Sequence, residues 1–341
     1  MYLMDSIIET AHMVRRRKME RHRILSVFTM LEDKLVGCPR FLFDETAINT
    51  AVEITLGRPK VLRDVMANFR IPYAKLWIEW PESGRQKLRD TFTPDETEQE
   101  NPLRPIPKKL GFFLETDETG RKGQVTWAWN NQLDQDLAGG SEKIVNVCPI
   151  SPFFDLDGDY PQDNSRYKDF LKANIANMWK TNAIQLDALQ RIWRTAEHKP
   201  SEWGAGYLRL GDGMSKKYEE IHLNHLYADV YGEYIMIWSC LMLLTSSKKI
   251  LDFTKVDNTK WNKSRVKQGK LPKLDHTVVS LHINQEIQVH SHGAPLGFTR
   301  KSPRIHMVSS YLARRGNLHW IVYPYWRGKG EIISRHVKVK T

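Results

Sequence analysis

The stretch Tyr234 to Leu244, YIMIWSCLMLL, constrains the fold of this chain more than any other feature. Its nearly unbroken apolar run is bounded by Glu233 on one side and by Ser246, Ser247, Lys248 and Lys249 on the other. Spanning a bilayer takes about 20 apolar residues, and lengthening this run to that extent would draw ionised groups into hydrocarbon. The run therefore predicts a helix over 215–250 that is buried within protein rather than in a membrane.

Partners for such a helix are abundant. Of 341 residues, 41% are hydrophobic, and 11 Trp, 12 Tyr and 12 Phe supply rings whose burial offsets the entropy of ordering a chain. Three cysteines, Cys38, Cys148 and Cys240, occur with no CxxC spacing, so the sequence predicts neither a zinc knuckle nor a disulfide framework. A reducing, cytosolic setting follows as the expectation, with no cofactor and no bound metal. The opening MYLMDSIIETAHMVRRRKMERHR turns basic before a secretory apolar region could form, so no signal peptide is expected.

Periodicity along the chain predicts an α+β fold: helical N-terminal and middle segments followed by a basic antiparallel C-terminal sheet. Residues 5–35 read as helical with Ile7, Ile8, Ala11 and Val14 on one face, ended by Gly37 and Pro39. IPYAKLWIEW, Ile71 to Trp80, reads as a strand. Gly111–Glu115 and Gln124–Trp129 read as two strands around the turn DETGRKG, and Lys143–Cys148 as another. Residues 165–198 carry apolar side chains at helical spacing, while 277–289, 305–312, 318–324 and 332–340 read as β. Between strands, TPDETEQENPLRPIPKK is the best loop or linker, and the chain reads as parts 1–92, 109–251 and 252–341 or as one elaborated domain.

Charge is distributed unevenly. From Asp252 onward there are 17 Lys+Arg against 5 Asp+Glu, whereas the residues before it hold 34 against 35, so the last quarter carries the whole net +11. A localised excess of this kind draws phosphates or acidic partners; the plain alternative is a solvated basic face. Within this region Trp320, Tyr323, Tyr325 and Trp326 lie between Arg314, Arg315 and Arg327, Lys329. Rings flanked by cations suit single-stranded bases, and a buried core strand fringed by arginines would look similar. A smaller cluster, Arg15, Arg16, Arg17, Lys18, Arg21 and Arg23, sits on the N-terminal helix.

Other constellations carry less. DLDGD at 155–159 fails as an EF-hand, because Tyr160 and Arg166 stand where Gly and Glu are needed, and reads as an acidic loop. GAGYLRLGDG at 204–213 lacks the P-loop lysine spacing. Seven of the 12 histidines fall between His276 and His336. His290 and His292 would share a strand face but have no clear third ligand. His306 and His319, expected on adjacent strands near Arg315 and Arg327, have the composition of a phosphodiester-cleaving site.

The C-terminal stretch IHMVSSYLARRGNLHWIVYPYWRGKGEIISRHVKV resembles the tail of a widespread group of uncharacterised proteins encoded by bacteriophages and prophages. Their tails carry one strand with a V-R-G-H-W-R core and a second with a W-I-x-P-H-x-[RK]-G core. Val308 matches the first, and Trp320, Ile321, Pro324, Arg327 and Gly328 match parts of the second. IPYAKLWIEW is similar to an apolar strand of that group, and NKSRVKQGKLP to its basic loop. Tyr311 and Tyr325 stand where the group often has histidines. The resemblance implies a phage origin, a host-cell cytoplasmic setting, and an accessory role in replication, transcription control or counter-defence.

Together these features lead to an accessory protein that binds nucleic acid, with Arg314, Arg315, Arg327 and Lys329 on phosphates and Tyr325 or Trp326 stacking. Two alternatives stand beside it. One is a nuclease or nucleotide-processing enzyme using His306 and His319; the other is an interaction protein that occludes a host factor.

Overall fold

The computed structural model describes residues 2–19, 21, 25–57, 59–83, 107–131, 145–160, 183–201, 204, 216–246 and 251–281, together with strand residues 306–308, 311–315, 318–322 and 325–327. In the strand at LWIEW, β2 (Lys75–Pro81), side chains leave in alternating directions and yet both sides are buried. Leu76, Ile78 and Trp80 enter one apolar cluster and Trp77 enters another. A strand buried on both faces has to lie between two layers.

Its neighbours follow the same rule. β1 (Arg40–Phe43) sends Phe41 and Phe43 one way and Leu42 the other; β3 (Pro107–Thr116) divides Leu110, Phe112 and Leu114 from Phe113. β4 (Lys122–Asn131) divides Val125 and Trp127 from Ala128. Gly111 opposes Glu79 in the β2–β3 ladder, and a Cβ there would stand 2.6 Å from Trp77 Cζ2, so only glycine lets the indole lie across the strand.

These strands belong to one nine-stranded mixed sheet. Its other members are β5 (Asn146–Val147), β6 (Ile150–Asp155), β7 (Ala196–Pro200), β8 (Leu251–Val256) and β9 (His276–Leu281). The order is β7-β6-β4-β3-β2-β1-β9-β8, with β5 pairing on β4. β1 runs parallel to β2 and β9, and the remaining pairs are antiparallel. The sheet thus draws strands from all three stretches into which the linker divides the chain.

One face is covered by α1 (Leu3–Arg16) and α2 (Ser26–Val36). The opposite face is covered by α3 (Glu45–Gly57), α4 (Pro59–Met66), α5 (Ala183–Trp193) and α6 (Lys216–Leu244). A short helix, α7 (Thr259–Lys267), connects β8 to β9. The chain is a mixed α+β protein, as its periodicity predicts.

The helix predicted from the apolar run is α6, and residues 234–241 are all buried. Two of its hydroxyls find partners inside the core, Tyr234 on Thr195 and Ser239 on Thr55, each at 2.7 Å. No helix among the described residues is long and apolar enough to cross a membrane. The helical reading of 5–35 resolves into two helices, and Lys18 has a φ of 56° just past the first. The turn between β3 and β4 needs Gly120, whose φ is 65° and whose Cβ would fall 2.5 Å from the Ile71 carbonyl oxygen. Residues 165–198 do not form one helix throughout: α5 ends at Trp193 and the chain turns into β7. Residues 161–182, the linker stretch 93–106 and the strand expected at 332–340 lie outside the described residues.

Toward the C-terminus, β10 (His306–Val308) pairs with β13 (Tyr325–Arg327), and β11 (Tyr311–Arg315) with β12 (Leu318–Val322), both antiparallel. These are two two-stranded ladders, while β8 and β9 belong to the large sheet.

Candidate nucleic-acid interface

The two ladders carry nearly all of the residues that the sequence singles out. In one, His306 stands opposite Arg327, Met307 opposite Trp326 and Val308 opposite Tyr325. In the other, Arg314 stands opposite His319 and Arg315 opposite Leu318. Directly opposed residues of an antiparallel pair share a face, so each candidate histidine shares one with an arginine. His306 and His319 themselves lie on strands that pair with β13 and β11, not with each other. Lys329, Tyr323, His282, His290, His292 and His336 lie outside the described residues.

A second basic element lies between β8 and β9. The segment NTKWNKSRVKQGKLPK, which includes the stretch similar to the basic loop of the phage group, contains α7. Between Asp257 and Asp275 it holds Lys260, Lys263, Arg265, Lys267, Lys270 and Lys273 and no acidic residue. No residue of α7 is buried. Polar side chains hold the helix in place where apolar packing is absent. Asn258 donates to the Leu274 carbonyl at 2.8 Å, and Arg265 Nε to the Leu271 carbonyl at 2.8 Å. Asn262 exchanges two hydrogen bonds with the Lys273 backbone, both 2.7 Å. Positions 258, 262 and 265 recur at helical spacing, so one face is latched to 271–274 and the opposite face presents Lys260, Lys263 and Lys267. Those three lysines are exposed.

Trp261 lies on the shoulder between the two faces and is 53% exposed. The Arg265 guanidinium is 5.5 Å and the Lys273 ammonium 5.0 Å from its ring centroid. The sequence signal that could have revealed this element was the lysine spacing within a stretch free of Gly and Pro from 258 to 268.

A buried polar cluster at the start of α1 reaches the 271–274 segment through Lys273. Glu79, a lone acid in LWIEW, is 3% exposed and faces the start of α1. Its carboxylate accepts from Leu3 N–H at 2.8 Å, Met4 N–H at 3.0 Å and the Trp77 indole at 2.9 Å. Asp5 accepts from Tyr2 N–H at 3.3 Å, so the first amides of α1, which no helix can satisfy internally, are taken up by carboxylates. Burial pushes the Glu79 pKa above the usual carboxylate range, against the three donors and Lys109. Burial likewise lowers the Lys109 pKa, against Glu79 and Asp5. Asp5 pairs with Lys273 at 3.0 Å, and the Tyr2 ring lies 4.5 Å from that of His276. Glu79 holds the start of α1 on β2, and Asp5 ties α1 to Lys273, an arrangement that serves structure.

The remaining motifs are also occupied. In DLDGD, Asp155 pairs with Lys122 at 2.8 Å, Asp157 with Arg121 at 2.5 Å and Asp159 with Arg194 at 2.5 Å, so each carboxylate faces a cation. Arg15 bridges α1 to Glu32 and, at 3.0 Å, to Asp33 of α2, while Arg16, Arg17 and Lys18 are exposed. Of the glycine-rich stretch only Gly204 is described, packed against the Pro149 carbonyl where a Cβ would not fit. Cys38, Cys148 and Cys240 are buried. Comparison with known protein families, with curated proteins and with solved structures found no match.

Proposed function

We propose that this protein binds nucleic acid through its basic C-terminal quarter, as a phage-type accessory protein of the host cytoplasm. The observation that carries the reading is α7 with its following turn: six cations without one intervening acid, on a helix that contributes nothing to the core. A helix that buries none of its residues gains little by folding unless it serves a surface role. Lysines spaced along its outer face present a row of charge to a polyphosphate backbone. Arg314, Arg315, Arg327 and Lys329 would extend the same field, with Tyr325 or Trp326 available for stacking.

Salt dependence tests the reading. Wild type should be retained on heparin and on DNA, and the variant Lys260→Ala/Lys263→Ala/Lys267→Ala should elute at clearly lower salt. Substituting Arg314, Arg315, Arg327 and Lys329 by Ala should act in the same direction. Elution unchanged in both variants sinks the proposal and favours occlusion of a host protein through contacts that salt does not weaken. The register that sets His306 opposite Arg327 and His319 opposite Arg314 supports the second reading, a histidine acid or base beside a phosphate-stabilising cation. Cleavage of labelled RNA or DNA that persists in chelator and disappears in His306→Ala or His319→Ala would establish it.

A further inference from the structure

The indole at position 261 is unusual for a phosphate-binding surface, because a ring has nothing to offer a phosphate. Trp261 belongs to neither apolar cluster. More than half of its surface is open. Cations stand against it at 5.0 and 5.5 Å, and Lys260 precedes it on the lysine face. What an exposed ring among cations accepts is another π-face whose own substituent is anionic. In a duplex the base faces are covered by their neighbours; in a single strand they are open.

We infer that α7 is a single-strand platform, on which a base stacks on Trp261 while Lys260, Lys263 and Lys267 take the adjoining phosphates. The inference rests on the nucleic-acid reading above and narrows its ligand to unpaired DNA or RNA. Lys273 plays a positioning part. Its ammonium pairs with buried Asp5, and its backbone is held by Asn262, which fixes the ring's surroundings to the α1 layer. The platform is therefore set before ligand arrives, which lowers the ordering cost of binding.

The test uses the full chain with labelled oligothymidylate and oligouridylate of about 12 nucleotides, a length within the span such platforms cover, and a mixed-sequence duplex of equal length. At equal salt the single strands should bind more tightly than the duplex. Trp261→Ala should weaken single-strand binding by about 5- to 150-fold, the worth of one stacked base, and Trp261→Phe should keep most of it. The Trp261→Ala salt slope should match wild type, whereas Lys260→Ala/Lys263→Ala/Lys267→Ala should flatten the log–log slope by about 2, near 0.7 per phosphate. Because Trp261 lies outside both apolar clusters, unfolding midpoints should shift only slightly, and a binding loss in Trp261→Ala that Trp261→Phe restores cannot be blamed on misfolding. Single-strand affinity that survives Trp261→Ala, or equal affinity for duplex, overturns the platform while leaving the polyanion reading intact. A wild type that binds none of these nucleic acids overturns both.

Discussion

Single residues show where composition ceases to be informative. Glu79 is visible in LWIEW as an acid out of place, but its partners, the amides of Leu3 and Met4, are more than 70 positions away and unmarked in sequence. His198 is a comparable case. On β7, against the Tyr234 ring at 5.4 Å, burial drives its pKa from 6.5 down to about 3. The folded state thus keeps this ring neutral while the unfolded chain takes up a proton below about 6.5. Stability from this site is complete above that pH and is lost as pH falls toward 3, by about 1.4 kcal/mol per pH unit. His276, also lowered by burial, adds in the same sense. Urea unfolding at pH 7 and pH 5 should show wild type losing about 2 kcal/mol more than His198→Phe over that interval. Equal losses would mean that His198 is protonated in the native protein.

At the scale of elements, legibility follows the source of stability. α1, β2, β3, β4 and α6 are stabilised by apolar burial, and burial leaves a periodic trace in sequence. α7 is held by Asn258, Asn262 and Arg265 on backbone carbonyls, a mode with no hydrophobic period, and so reads as a loop. β1 and β8 are short or one-sided, with β8 burying only Leu251, and they give too little alternation to register. The same reasoning gives α6 a two-sided prediction. Ile237 is fully buried, so Ile237→Asp strands a charge in the core and should cost about 4 kcal/mol or more, giving insoluble or protease-sensitive protein. Gly232 of the same helix is exposed and a Cβ there meets nothing within 4 Å. Gly232→Ala should therefore raise stability by about 0.5–1 kcal/mol through helix propensity. Thermal unfolding of both variants checks the pair. A stable Ile237→Asp protein would remove α6 from the core.

For the whole molecule, the acidic, proline-rich stretch 93–106 separates sequence but does not separate structure. β2 precedes it and β3 follows it, and the two pair in register from Lys75 opposite Glu115 to Pro81 opposite Lys109. The parallel pairing of β1 with β9 adds a second tie, joining residues near 42 to residues near 278. Trp77 and Phe113, on either side of the stretch, enter one cluster with α1 and α2, and Trp80 and Phe112 enter the other, their rings 6.0 Å apart. Breaking the chain in this stretch leaves each of those contacts in place. It also makes the joining of the two fragments a two-chain association, so the ladder and the two apolar clusters alone must hold them together. Composition predicts first cuts at about 92–108 under limited proteolysis. The nicked protein should then elute from gel filtration as one species of unchanged size, and separate into two fragments only in denaturant. Fragments that part in native buffer would mean that the β2–β3 ladder does not hold the sheet together, and first cuts within β2, β4 or α6 would contradict the layered core itself.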